Sequence, residues 1–481
     1  MPGNRSAVDP RAGRHLVPRA WRGERQEACE SPPPTAKIAA RIAQYGIATG
    51  SMAAFRRHRA GGLDRNMRVS WGRAVWAALA LSAGGIASAS AQVAAPSVER
   101  APGNVELPEV EARDPLVLQL AYTGDILSSV AGGKRRGTRW INNVSAIATA
   151  DLDALGVAPR TTVLVHGFYN NGASFSGDLV GDGQIVSSIE AGVPLFRVLE
   201  AWAEHRGPDD RWSVKAGLYD VNSEFDALQT SLLFVNSAFG MGTELGASGA
   251  GGPSTFPSTG MAIRGQVKIG DRVTVRAAAA DGVPNDPARP RRMWVGLAGR
   301  DGALLIGEAD VELGVVRLLA GGWHYSARSD DRFDAGSAAA VVRRAHNQGA
   351  YLRGEAQLSG DRTRGMRGFF RIGTADDRVN MFGGFSSLGV VGHGWVPGRP
   401  DDDTGIAIAY AGGSSAMRAL VRADYGTAPR GEAVIELNHR LALTDWLGVQ
   451  PHVQYVVAPG LDPTVGNAVV LGLRLTASIA E

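Results

Sequence analysis

Cysteine is almost absent from this chain of 481 residues. Its single cysteine, Cys29, lies in an N-terminal segment that we expect to be removed, and residues 92–481 contain none. Without a thiol, that part of the chain cannot form disulfides, cysteine nucleophiles, zinc fingers or iron–sulfur sites. The histidines after residue 91 are scattered and lack the H-E-x-x-H spacing of a zinc enzyme. We therefore expect no metal site and no cofactor.

Long apolar runs are also missing. The longest, 74–87, is too short to form a helix that crosses a bilayer, which needs about 20 apolar residues. A membrane protein built of helices is therefore excluded. One built of strands is not, because such strands are apolar on only one face.

A large excess of one charge is missing once the N-terminal segment is set aside. The whole chain has a formal net charge of +3, but residues 1–91 carry 14 of the 50 Lys and Arg and only 5 of the 47 Asp and Glu. Residues 92–481 therefore hold 36 basic and 42 acidic side chains, a net charge of −6. The basic character that would suggest nucleic acid as a partner lies in the N-terminal segment, so we expect no nucleic-acid binding.

The first 115 residues divide into three predicted segments. From Met67, Arg68 and Arg73 precede an apolar core and the small residues 89–91, which is the order of a secretory signal peptide. We expect 67–91 to be a cleaved signal peptide and the Arg- and Pro-rich residues 1–66 to be a non-native upstream extension. Residues 92–115, with four prolines, are expected to form a linker before a folded domain at 116–481.

Beyond residue 115 short segments alternate between apolar and polar residues and are bounded by turn residues, which is the pattern of β-strands. In the last segment Val469, Leu471 and Leu473 share one face, whereas Gly472 and Arg474 share the other. We predict sixteen strands, at 116–124, 139–151, 161–169, 194–204, 211–219, 258–268, 271–280, 303–312, 315–326, 349–359, 366–374, 378–387, 404–412, 432–443, 446–457 and 467–479.

The predicted connections alternate in length. Those after even-numbered strands are mostly short, such as 313–314 and 444–445, whereas several after odd-numbered strands are long, especially 220–257 and 327–348. An even number of strands with short turns on one rim is typical of an outer-membrane barrel, whose closure gives every backbone amide a partner in lipid. We predict an all-β, 16-stranded antiparallel transmembrane β-barrel with short periplasmic turns, long extracellular loops and an inward-folded loop after the fifth strand.

Four stretches of the sequence resemble the carbohydrate-selective porin (OprB) family. They are FYNNGASFSGDLVGDGQIVSSIEA (168–191), AGLYDVNSEFDALQTSLLFVNSAFG (216–240), GPSTFPSTG (252–260) and WLGVQPHVQYVVAPGLDPTVGNAVVLGLRL (446–475). The resemblance implies a porin in the outer membrane of a Gram-negative bacterium that lets small neutral sugars diffuse passively into the periplasm. It also implies outer-membrane lipid and the barrel-assembly machinery as partners, and it leaves both a single barrel and a homotrimer open.

A sugar-selective lumen needs hydrogen-bond donors and acceptors for hydroxyls and aromatic faces for the ring. Both signs of charge occur on the polar faces of the strands, which favours neutral solutes over ions. We expect Asp220 and Glu224, at the start of the long loop, to meet Arg264 across a constriction. For any single residue the plainer interpretation is a solvated lumen group in an ion pair. The candidate constriction residues are Glu200, Lys215, Asp220, Asn222, Glu224, Phe225, Arg264, Arg353 and Glu355.

Three other functions fit part of this pattern. The same barrel could be a general porin for other small polar solutes, an outer-membrane barrel enzyme such as a lipase or protease, or a soluble secreted β-protein in adhesion. A serine hydrolase of the common type would carry G-x-S-x-G, and no serine here has glycine at both −2 and +2. We therefore predict a channel and not an enzyme.

Overall fold

Sixteen antiparallel strands close into one barrel. The computed structural model describes residues 100–101, 105–106, 114–285, 289–291, 302–337, 339–361 and 363–480. Each strand of the barrel pairs with the next one, and the last pairs with the first along 13 registered residue pairs. The predicted 16-stranded antiparallel barrel is confirmed.

The strands are named in chain order: β1 (Leu116–Gly133), β2 (Gly137–Asp151), β3 (Thr161–Asn170), β4 (Leu195–Arg206), β5 (Trp212–Tyr219), β6 (Gly260–Ile269), β7 (Val273–Asp281), β8 (Ala303–Leu313), β9 (Val316–Asp330), β10 (Arg344–Gly360), β11 (Gly365–Ala375), β12 (Phe382–His393), β13 (Asp403–Gly413), β14 (Gly431–Thr444), β15 (Leu447–Val457) and β16 (Gly466–Ala480). Every predicted strand overlaps one of these.

Two strands differ most from their predicted ranges. β1 continues to Gly133 instead of ending near 124, because Asp125 faces the lumen, where Arg474 binds it. β12 begins at Phe382 and not at 378, because the residues before it form a turn. The side chain of Asn380 in this turn exchanges hydrogen bonds with that of Asn347 in β10. In both places a polar side chain finds its partner on a distant strand, which a local pattern does not show.

The two faces of the sheet differ as the alternation predicts. Along β16, Leu471 and Leu473 are exposed on the outside of the barrel, whereas Arg474 is buried inside it. Large aromatic side chains mark two levels on the outer surface, a feature typical of membrane-spanning barrels. Near the long-loop rim they are Trp140, Tyr169, Phe196, Tyr410 and Tyr455, and near the short-turn rim they are Trp212, Trp395 and Trp446.

The connections divide between the rims as predicted. Turns after even-numbered strands include 270–272, 314–315 and 445–446, whereas the odd-numbered strands β3, β5 and β13 are followed by 171–194, 220–259 and 414–430. Short helices lie within the long connections: α1 (Thr243–Gly246), α2 (Arg332–Gly336) and α3 (Ser415–Tyr425). In the part of the chain that the structure describes, no helix is long and apolar enough to span a bilayer.

The connection 220–259, called the β5–β6 loop, enters the barrel as predicted. Its backbone amides at 226, 230 and 235 donate to Glu308 of β8, Glu355 of β10 and Glu436 of β14 at 2.8, 2.8 and 2.7 Å. Because β14 lies almost opposite β5 in the closed barrel, the loop crosses the lumen. It therefore narrows the bore and is held by wall carboxylates.

A second connection, 171–194, also enters the barrel, which the sequence did not predict. In this β3–β4 loop the amides of Gly183 and Gln184 both donate to Glu432 of β14 at 2.8 Å. The two loops also bind each other, since the amide of Ser188 donates to the carbonyl of Val235 at 2.9 Å. The lumen is thus narrowed by two connected loops.

The predicted N-terminal segments fall mostly outside the described residues. The upstream extension 1–66 and the signal peptide 67–91 lie entirely outside them, and the linker 92–115 is described only at 100–101, 105–106 and 114–115. Arg100–Ala101 and Val105–Glu106 pair as a short antiparallel ladder apart from the barrel. The first strand of the barrel begins at Leu116.

Candidate functional site

The first part of the site forms where the β5–β6 loop leaves the wall. Arg264 of β6 and Lys215 of β5 both bind the carboxylate of Glu224, at 2.6 Å from Arg264 Nε and 2.8 Å from Lys215 Nζ. Tyr219 also donates to Glu224 at 2.7 Å, and Arg264 reaches Glu204 of β4 at 2.8 Å. The predicted meeting of Glu224 and Arg264 is therefore present, and we call these residues the Arg264 cluster.

Charge balance keeps Glu224 ionised in this cluster. Burial alone would raise the pKa of its carboxyl, but Lys215 and Arg264 outweigh burial and hold the pKa below its ordinary value. Lys215 is positioned in turn by Trp202, since its Nζ lies 3.9 Å from the centre of that ring. The cluster is thus a fixed set of charges of both signs.

Asp220 and Asn222, the other two polar residues at the start of the loop, stabilise the backbone turn. The carboxylate of Asp220 accepts from the amide of Asn222 at 2.8 Å, and the side-chain amide of Asn222 donates to the carbonyls of Phe225 and Asp226 at 3.1 Å. Burial and the nearby carboxyl of Glu200 raise the pKa of Asp220 to about 7. Asp220 was expected to face Arg264, but its carboxylate stabilises the backbone turn instead.

Glu200 and Phe225 stabilise the loop close to the point where it leaves β5. Glu200 of β4 accepts from the amide of Asp220 at 3.2 Å, and one of its oxygens lies 3.9 Å from His166 Nδ1. Phe225 is 0% exposed, within a buried apolar cluster that includes Val221, Met241 and Leu245. Phe225 was predicted as a constriction residue, but in this structure its ring packs within the loop and does not line the lumen.

Asp226 anchors the loop two residues beyond Glu224. It is 0% exposed, and its carboxylate lies 2.8 Å from Arg353 of β10 and 2.8 Å from Arg371 of β11. Arg353 also donates to the backbone carbonyl of Asp226, and Arg371 binds Glu244 of α1 at 2.8 Å. Burial would raise the pKa of Asp226, but the two arginines hold the pKa below its ordinary value. The predicted site residue Arg353 thus acts on the loop.

A more accessible set of charges lies beside this anchor. Arg317 of β9 binds Asp310 of β8 at 2.6 Å and Glu355 of β10 at 3.4 Å. The Arg317 side chain is 26% exposed and that of Glu355 is 13% exposed, the same value as for Glu224. Among the charged side chains of the narrowed region described above, Arg317, Glu355 and Glu224 are the most accessible.

The sequence missed several residues of this region: Arg317, Asp226, Arg371, Glu308, Glu432 and Glu436. All except Asp226 lie on the lumen parity of a predicted strand, so the alternation alone placed them inside. What the alternation could not show is which wall residue meets which loop residue. Among the described residues no group of His, Asp or Glu could hold a metal ion.

The comparisons with known proteins agree with this architecture. The sequence model of the carbohydrate-selective porins, OprB family, matches residues 135–479. Porin B of Pseudomonas aeruginosa is 24% identical over 396 residues, which cover 74% of this chain and 86% of that protein. The high-pH structure of Pseudomonas putida OprB superimposes with a TM-score of 0.67 at 22% identity and covers 76% of this chain and 94% of that one. This chain belongs to the carbohydrate-selective porin (OprB) family, whose barrels lie in the outer membrane of Gram-negative bacteria.

Proposed function

We propose that small neutral sugars diffuse passively through the lumen past the accessible edges of Glu224, Arg317 and Glu355. The observation that carries the proposal is the pairing of both charge signs at the point where the inward loop meets the wall. Sugar hydroxyls donate and accept hydrogen bonds, so they can replace water on such groups at little net cost. A ring of one charge sign would instead select ions.

Weak binding is part of this proposal. A site that holds its solute tightly conducts it slowly, because the solute must also leave. The most strongly paired groups, Arg264 and Arg353, are each 1% exposed. They keep the loop in place, and the more accessible carboxylates and Arg317 meet the solute.

The proposal predicts the behaviour of two substitutions in the Arg264 cluster. In planar bilayers, Arg264→Ala and Glu224→Ala should each leave ion conductance unchanged or raise it, because a contact that fixes the narrowing loop is lost. Block of that current by millimolar sugar should weaken in both, because the accessible acceptors lose their fixed positions. Glu224→Gln keeps the size of the side chain and should weaken sugar block without loosening the loop as far.

The matched control is Lys268→Ala. Lys268 lies on the lumen parity of β6 near the short-turn rim, away from the Arg264 cluster, and it is exposed. Its removal should leave sugar block unchanged. Unchanged block in both Arg264→Ala and Glu224→Ala would show that the cluster does not border the selective part of the channel.

Orientation and assembly are further parts of the proposal. Outer-membrane barrels keep short turns in the periplasm and longer loops outside, so we assign 270–272 and 314–315 to the periplasm. We propose export through the signal peptide 67–91 and insertion by the barrel-assembly machinery. If three barrels associate, the outer face of β5–β7 offers a shallow groove lined by Gly265, Ala277 and Val214. The small residues Gly265 and Ala277 would allow a second barrel to approach closely within the membrane.

The second candidate function is a general porin for small polar solutes. The narrowed region contains ion pairs that would also suit zwitterions, which is the observation that favours this alternative. The two functions differ in how strongly the current is blocked by sugars and by amino acids of similar size. Membership of a porin family implies a channel in either case.

A further inference from the structure

A cluster of basic side chains lies at the tip of the β1–β2 hairpin. Lys134, Arg135 and Arg136 form the connection, and Arg139 follows in β2. In the described part of the chain, the ion pairs of this cluster involve one carboxylate, Asp178, at 3.8 Å from Arg135 and 3.7 Å from Arg139. Lys134 also interacts electrostatically with the carboxyl group of Asp182, so four cations against two carboxyl groups leave a local excess of at least +2, although residues 92–481 together carry −6. We call these four residues the hairpin basic cluster.

The hairpin basic cluster is held in place by the β3–β4 loop. Lys134 Nζ donates to the carbonyl of Gly177 at 2.9 Å, and the amide and Nε of Arg135 donate to the carbonyls of Leu179 and Asp178 at 3.0 and 3.1 Å. At Gly133, with φ of +66°, a Cβ would lie 2.6 Å from the carbonyl oxygen of Leu179. The backbone is therefore fixed, while Arg135 and Arg136 remain exposed.

The position of this cluster indicates what it meets. Trp140 follows Arg139 directly and is 57% exposed on the outer surface, on the long-loop side of Val144, which pairs in register with the aromatic Tyr169 of the neighbouring strand. Such aromatic rings lie at the membrane–water interface. The cluster is at the end of the barrel just beyond these rings, on the long-loop rim. It therefore lies at the level of the phosphate groups of the outer leaflet.

We propose that Arg135 and Arg136 of the hairpin basic cluster bind the phosphate groups of the phosphorylated glycolipid of the outer leaflet, whereas Arg139, on the opposite face of β2 from Trp140, pairs with Asp178. Guanidinium groups match phosphate oxygens in a bidentate geometry and are weakly hydrated for a cation. The adjacent aromatic rings favour a lipid over a free anion, because only a lipid brings acyl chains against Trp140. The fixed backbone lets Arg135 and Arg136 bind without first ordering the hairpin, which reduces the entropic cost of binding.

The test titrates bisphosphorylated lipid A into the full-length protein in non-ionic detergent and measures the dissociation constant. The double variant Arg135→Gln and Arg136→Gln should bind roughly 30-fold more weakly than the wild type. It removes two cations, each with the usual contribution of a basic residue near an anionic leaflet. The wild-type affinity should also fall as salt rises. The matched control removes two other exposed cations of the same rim, Arg378→Gln and Arg422→Gln, and should change the constant less than 2-fold.

Two further probes separate the sources of phosphate. Lipid A without phosphates should bind the wild type and the double variant equally weakly. Inorganic phosphate at the same concentration should not displace bisphosphorylated lipid A, and full displacement would show a free-anion site instead. Equal affinities of the wild type and the double variant, or an equal loss in the control, would overturn the proposal. Heat-modifiable migration on gels shows that each variant is folded.

Discussion

Replacing Asp226 with alanine is expected to detach the segment of the β5–β6 loop around residue 226 from the barrel wall and to raise the ion conductance of the channel. The substitution removes the carboxylate that pairs with Arg353 and Arg371, whose side chains are 1% and 2% exposed. Arg371 keeps Glu244 as a partner, whereas Arg353 loses its ion pair with Asp226. Leaving a buried charge without its partner typically costs about 3–5 kcal/mol, so the unfolding free energy should fall by a similar amount.

Asp376→Ala is the matched control for this substitution. Asp376 also pairs with an arginine, Arg378, at 3.4 Å, but the Arg378 side chain is 61% exposed at the rim. Exposed pairs contribute less than about 1 kcal/mol, so neither conductance nor stability should change appreciably. Single-channel recording and denaturant unfolding in detergent measure both quantities. Wild-type conductance and wild-type stability in Asp226→Ala would contradict the role of Asp226 as the loop anchor.

Replacing Leu473 with arginine is expected to lower the stability of the barrel by about 2–4 kcal/mol, the usual cost of a cation on the lipid face near the bilayer midplane. Leu473 lies in the middle of β16 and is 42% exposed on the outer surface. The guanidinium would have no water or counter-charge at that depth. Folding titrations into lipid vesicles give the free energy directly.

Thr476→Arg in the same strand is the comparison for this second prediction. Thr476 shares the lumen parity of Arg474 and is partly exposed to the interior. A cation there remains in a polar, water-filled space and should cost much less. A cost at 476 as large as that at 473 would contradict the assignment of Leu473 to the lipid face, and a larger cost at 476 would mean that the strand presents the opposite face to lipid.

The barrel could be predicted because its cause is local. Apolar and polar residues alternate in strands such as β14 and β16 because one face meets lipid and the other lines the lumen. Both faces are visible within a dozen residues of sequence. The length of β1 was underestimated because Asp125 interrupts the apolar pattern, although it faces the lumen and is neutralised by Arg474 of the last strand. That contact joins residues 349 positions apart, which no local pattern shows.

The site could be predicted only in part, for a related reason. Glu224 and Arg264 were expected to meet because the loop that carries Glu224 ends at the strand that carries Arg264. Asp226 was missed because its partners lie on β10 and β11, more than a hundred residues away. Phe225 was predicted as a constriction residue from its place at the start of the loop, but its ring is buried with Val221, Met241 and Leu245.

The inward path of the β3–β4 loop was missed because several of its anchors are backbone amides, which carry no side-chain signal. Glu432 accepts from backbone amides of Gly183, Gln184 and Gly460. Any residue except proline supplies such an amide, so the sequence of the loop does not show that the loop is anchored there. Glu432 itself occupies an ordinary lumen position of β14, where it could equally have formed an ion pair.

The most direct test of a carbohydrate-selective channel is liposome swelling with the wild-type protein, using neutral sugars and zwitterionic amino acids of matched size. Swelling follows solute entry and needs no ionic current, so it measures permeation of the neutral solute itself. We expect sugars to enter markedly faster than the size-matched amino acids and Glu224→Gln to reduce this difference. Equal rates for the two classes of solute would contradict carbohydrate selectivity and would indicate a general porin.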